Sequence, residues 1–171
     1  MQNHFELFQL PEGFSVDMTA LNQAYHRVQS QVHPDKFAHA NDVEKRVAMQ
    51  WATRANEAYQ TLKNPLKRAT YLCELKGIDL EVESNTAMPA AFLMQQMEWR
   101  EALDEAKALK DVNALGALEK ELHTARKDEL GVVEKQLDAG DFDAAGKTIR
   151  KLMFLDKFGD EIGDVFAILE R

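Results

Sequence analysis

Cysteine is almost missing: Cys73 is the only one in 171 residues, so no internal disulfide and no cysteine-cluster zinc site can form. Proline (4) and glycine (8) are scarce, which leaves no collagen-like, linker-like or low-complexity stretch. No apolar run approaches the ~20 residues that cross a bilayer. Positive charge is also in deficit. The chain carries 21 Lys+Arg against 29 Asp+Glu, a net charge of −8. That balance excludes a general nucleic-acid binder and a polybasic membrane binder, since both need a basic face. The start, MQNHFELF, lacks a basic lead and places Glu6 where a secretion signal would be apolar, so a reducing cytoplasm is the expected compartment. Strand-like alternation is nearly absent, while 45% hydrophobic and 29% charged residues are ordinary for a packed globular chain.

What remains is helical periodicity, almost throughout. A short helix is expected over about residues 3–8, with Asn3 and Glu6 spaced as in a capping box. A second should begin at Asp17 and place Leu21, Tyr25, Val28 and Val32 on one face until His33-Pro34 stops it. A third starts at Asn41, again with a glutamate three residues on. Its apolar face is Ala48, Trp51, Ala52, Ala55, Tyr59 and Leu62. Asn64-Pro65 opens a fourth, which Gly77 closes. Three longer helices follow, roughly 89–109, 111–138 and 142–169, with Gly140 and Asp141 between the last two. The expected architecture is all-α: a helical hairpin unit over 1–76, a linker over 77–88, and an antiparallel three-helix bundle over 89–171. Charge follows the same division. Residues 1–75 hold 8 basic and 8 acidic side chains, and residues 76–171 hold 13 and 21, so the two parts suit different partners.

His33-Pro34-Asp35 falls at the turn between two amphipathic helices, followed by Lys36-Phe37. The proline makes a stiff corner and holds an imidazole and a carboxylate outward at a tip. Such a tip suits docking better than catalysis, which needs a cleft that excludes water. In this setting the tripeptide resembles that of a J-domain, and the resemblance covers residues 1 to about 76. It implies a co-chaperone of DnaK-type ATPases, in which His33, Pro34 and Asp35 dock at the partner's nucleotide domain and speed ATP hydrolysis. A basic second helix aids docking in that family. Here only Arg27 lies between Asp17 and Val32, with Lys36, Lys45 and Arg46 nearby, so electrostatic steering should be weak or shared with the third helix.

The helix after Pro89 carries two apolar stripes. On a wheel of ~100° per residue, Phe92, Trp99, Leu103 and Ala106 fall together as the core face. Leu93, Met94 and Met97 fall opposite, with Glu101 and Glu105 beside them and Glu98 and Asp104 at the margins. A bundle helix needs one such stripe; the second is either buried on residues 1–75 or open to a partner. FLMQQMEWREALDEA at 92–106 and RKLMFLDK at 150–157 resemble the HscB co-chaperone family of bacterial iron–sulfur cluster assembly, over nearly the whole chain. The resemblance implies that the chaperone partner is of the HscA class. It also implies that the bundle binds an IscU-type scaffold through Leu93, Met94, Met97, Glu98, Glu101, Glu105 and Phe154. Met97 and Trp99 stand where leucine is common in that family; the first is a mild change and the second should alter core packing. Gln95 and Ala102 thin the acidic fringe.

Other patterns carry less. GDFDAAGKT at 140–148 has five residues between its glycines where a phosphate loop needs four, and no strand precedes it. Glu119 and His123 suit a solvated helix face better than a zinc site, and His33, Asp35 and His39 straddle a proline turn without a fourth ligand. Cys73 fits a buried structural thiol, and His4 and His26 fit surface or packing roles. No cofactor, metal or catalytic residue is expected. Three alternatives stay open: a J-protein with another client, a small helical hydrolase using His33 and Asp35, and a structural adaptor. The first lacks the Gly/Phe-rich and cysteine-repeat regions of general J-proteins, and the second requires a cleft at the turn.

Overall fold

The computed structural model describes residues 2–80 and 88–171. Among the described residues seven helices follow in order: α1 (His4–Leu7), α2 (Met18–Val32), α3 (Asp42–Lys63), α4 (Pro65–Leu75), α5 (Ala90–Leu109), α6 (Val112–Asp138) and α7 (Phe142–Leu169). A 3-10 turn, Pro34–Phe37, joins α2 to α3. No strand occurs among the described residues, and the fold is all-α. Of the linker expected over 77–88, residues 81–87 lie outside those described. The chain forms two compact units, Met1–Leu72 and Cys73–Arg171, whose boundary falls inside α4.

Helix starts follow the side chains able to cap them. Asn3, Asp17, Asn41, Asn64, Asp111 and Asp141 each accept from a backbone N–H in the first turn that would otherwise have no partner. At Asn41 the two side chains also meet, its Nδ2 donating to Glu44 Oε1 at 3.1 Å. Gly77 and Gly140 take φ of +80° and +76° just past α4 and α6, a conformation open to residues without a Cβ.

In the first unit α2 and α3 lie antiparallel. Tyr25 and Tyr59 stack at 4.1 Å between ring centroids, and Tyr59 Oη donates to Asn22 Oδ1 at 2.7 Å. Phe5, Phe8, Phe14, Leu21, Ala55, Ala58 and Leu62 form the core. Trp51, expected on the buried face of α3, is 38% exposed with the Arg54 guanidinium 5.3 Å from its ring centroid. The short α1 packs on α3 but reaches only to about Arg54, which donates to the Gln2 carbonyl, so the flank nearer the turn has no such cover. Arg68 is a buried cation that periodicity does not disclose. Its Nε donates to Phe14 O and its Nη1 to Leu62 O, each at 2.6 Å, and the guanidinium lies 4.8 Å from the Phe14 ring centroid. Leu62 is in the last turn of α3, where carbonyls lack helical partners, so Arg68 caps α3 from outside.

In the second unit α6 and α7 form the main antiparallel pair, and α5 packs on both. Helix α7 buries two different faces along its length. Its first half presents Ala145, Gly146 and Ile149, and Gly146 faces Ile78 and Leu80: a Cβ added there would meet Leu80 Cδ2 at 3.1 Å. Cys73 is fully buried there, its Sγ 3.9 Å from Phe142 O. Its second half turns Leu155, Phe158, Ile162 and Val165 inward. Thr148, the residue closing the phosphate-loop lookalike, is buried and donates to Gln136 Oε1 at 2.7 Å, a packing role.

Candidate functional site

Two features stand out on the surface, one in each unit. At the α2–α3 turn, Pro34 occupies the first position of the 3-10 turn and His33, in extended backbone (φ −60°, ψ 136°), caps it. The Asp35 backbone N–H donates to His33 Nδ1 at 3.2 Å, and Asp35 Oδ2 lies 3.6 Å from the same nitrogen. With Nδ1 accepting, the proton of the neutral imidazole sits on Nε2. The His33 side chain is 58% exposed and that of Asp35 92%, and Pro34, Lys36 and Arg27 are exposed as well. The turn therefore fixes the direction of the imidazole with its own backbone and leaves both functional groups in water. An imidazole and a carboxylate so exposed are not shielded from water as a hydrolase's catalytic pair would be.

On α5 the two stripes separate cleanly. Trp99, Leu103 and Ala106 are at most 5% exposed, whereas Leu93, Met94 and Met97 are 44%, 63% and 67% exposed. Glu98, Glu101, Asp104 and Glu105 are exposed on the same helix. Among the described residues, no three His, Cys, Asp or Glu side chains are placed to hold a metal ion.

Phe154 sits differently from its neighbours in the expected set. It is half-buried in an aromatic cluster, stacked on Phe158 (5.6 Å) and Trp99 (6.3 Å) and edge-on to Phe92 (5.7 Å). Trp99 also donates from Nε1 to Glu121 Oε1 at 3.2 Å, which fixes the indole within this cluster. Phe154 still reaches the surface, where it borders a cleft with Gln96, Met97, Arg100 and Glu101. Sequence reasoning missed Arg100 and Gln96. The wheel held the clue, since both fall between the core stripe and Leu93.

An exposed His-Pro-Asp tip on a helical hairpin, followed by a three-helix bundle with an open apolar face, defines a J-domain co-chaperone. Comparison with known proteins gives the same class. Residues 88–163 match the family model described as the HSCB C-terminal oligomerisation domain. A co-chaperone protein HscB homolog of Paraburkholderia xenovorans is 56% identical over 99% of this chain and 97% of its own length. Chaperone HscB from Vibrio cholerae superposes with a TM-score of 0.87 at 38% identity, covering 98% of this chain and 99% of that one. Human co-chaperone protein HscB gives a TM-score of 0.89 at 29% identity, covering 95% and 81%. The chain belongs to the HscB family, the co-chaperones of iron–sulfur cluster assembly.

Proposed function

We propose that this co-chaperone performs no chemistry itself and couples two binding events. His33, Pro34 and Asp35, flanked by Arg27 and Lys36, engage a DnaK-type ATPase of the HscA class and accelerate its ATP hydrolysis. Leu93, Met94, Met97, Glu98, Glu101, Glu105 and Phe154 hold the IscU-type scaffold on which clusters are built. Scaffold delivery and hydrolysis then coincide, in the cytoplasm where a lone thiol stays reduced.

The observation that carries this reading is the second stripe of α5. Three large apolar side chains remain 44–67% exposed on a helix whose opposite face is sealed. Fully burying such a side chain is worth roughly 1.5–3 kcal/mol, and the exposed fraction of that is a gain the isolated chain forgoes and a partner can recover. Methionine suits such a contact because its flexible thioether adapts to the shape it meets. The carboxylates around it favour a scaffold surface with basic flanks.

The test is steady-state ATP hydrolysis by an HscA-type chaperone, with the scaffold and this chain added singly and together. The two together should stimulate more than either alone, and His33→Gln should abolish the chain's contribution while its circular dichroism melt stays unchanged. Normal stimulation by a folded His33→Gln protein would remove the tip from the mechanism.

A further inference from the structure

We infer that the scaffold site is a two-helix cleft in which Arg100 and Glu161 are working parts, Arg100 as a wall and Glu161 as the group that positions it. This rests on the α5 face being the scaffold site. The cleft is bounded by Gln96, Met97, Arg100 and Glu101 of α5 and by Phe154 of α7. Met97 is two-thirds exposed, Phe154 is backed by the rings of Trp99 and Phe158, and the cleft takes an apolar side chain from the scaffold between them.

Arg100 is placed to close that cleft on one side. Its Nη1 donates to Glu161 Oε2 of α7 at 2.6 Å, and its guanidinium lies 5.1 Å from the Phe158 ring centroid. A planar guanidinium held against a ring and a carboxylate is confined in a way that a free arginine is not. The pair is half-exposed, 49% for Arg100 and 36% for Glu161, so an exposed ion pair of this kind does little for the fold. Its consequence is steric and electrostatic. The guanidinium stays at the cleft, and its charge is matched by Glu161, which leaves Glu98, Glu101, Asp104 and Glu105 to set the sign of the rim. The occupant is accordingly an apolar scaffold side chain with lysine or arginine beside it, and binding uses α7 as well as α5.

The experiment is titration calorimetry of the full chain with a purified IscU-type scaffold, using Arg100→Ala, Glu161→Gln, the double variant and Met97→Ala, each checked by thermal melting. Arg100→Ala should weaken binding about tenfold and Glu161→Gln about threefold, and the double variant should bind no worse than Arg100→Ala, because Glu161 acts through Arg100. Should Arg100→Ala melt early, Glu161→Gln alone carries the test. If Met97→Ala weakens binding while both other variants titrate as the parent does, the role of Arg100 and Glu161 is wrong and the rest of the face survives. If Met97→Ala is also without effect, the face itself is not the scaffold site and both statements fall. Additive losses in the double variant would refute the positioning role of Glu161.

Discussion

Replacing Leu93 and Met97 together by alanine tests the client half of the mechanism without touching the core. Leu93 is 44% and Met97 67% exposed in the free chain, so those fractions of each side chain remain to be buried by a partner. Scaling a full-burial value of ~1.5–3 kcal/mol per side chain by those fractions gives about 2–3 kcal/mol for the pair. That corresponds to a loss of roughly 30- to 150-fold in scaffold affinity. Fold stability should move little, within about 0.5 kcal/mol, because neither side chain is sealed. Phe154 is best left out of this variant. Its ring packs on both Trp99 and Phe158, and truncation there would confuse lost binding with a loosened core. The assay is titration calorimetry against the scaffold, with urea unfolding as the control. An affinity within about twofold of the parent, in a protein that unfolds at the parent's midpoint, would refute the assignment of this face.

Three further outcomes follow from single residues. Glu101→Lys should slow scaffold association more than it speeds release, since an exposed rim charge acts mainly on encounter; stopped-flow traces with the effect in the release rate would place that carboxylate inside the contact. Arg68→Met keeps the aliphatic stem but leaves the carbonyls of Phe14 and Leu62 without their charged donor, so it should cost about 2–4 kcal/mol in urea unfolding, and a neutral result would mean other donors reach those carbonyls. Burial holds the His4 imidazole below its ordinary pKa, against the pull of Glu57 and with a smaller push from Arg54. The unfolded chain then takes up that proton first as pH falls, so stability present above about pH 6.5 is lost on acidification through the lowered value; His4→Gln should flatten this slope between about pH 7.5 and 5, and an unaltered slope would assign it to other groups.

Most helix boundaries were legible because they are local. An asparagine or aspartate before an apolar period finds its N–H partners two or three residues on, whatever the rest of the chain does, and the caps at Asp17, Asn41 and Asp141 need nothing else. The α5 wheel was legible for a related reason: one helix with two stripes has to leave one of them for something besides its own core. Which stripe the bundle's own core leaves out is shown by the exposure of Leu93, Met94 and Met97 beside the burial of Trp99, Leu103 and Ala106.

The positions that phase alone does not place share a cause. Trp51 has the right phase for the core of α3, yet α1 is four residues long and does not extend to cover it; burial depends on the length of the neighbour as well as on phase. Arg68 is polar by type and buried because two distant carbonyls need it, a pairing 54 residues apart in one case. Phe154 is the instructive one. Read against the stripe of Phe142, Ala145, Ile149 and Leu152, it falls off the core, in keeping with a surface contact. But α7 is 28 residues long and changes neighbours midway, from Ile78 and Leu80 at Gly146 to the Trp99 cluster at Phe158, so its inward face rotates with them. Phe154 lies at the changeover, with its ring in the cluster and its edge at the cleft. A residue so placed transmits the packing of Trp99 to the surface, and the wall it offers at the cleft is already fixed by the core.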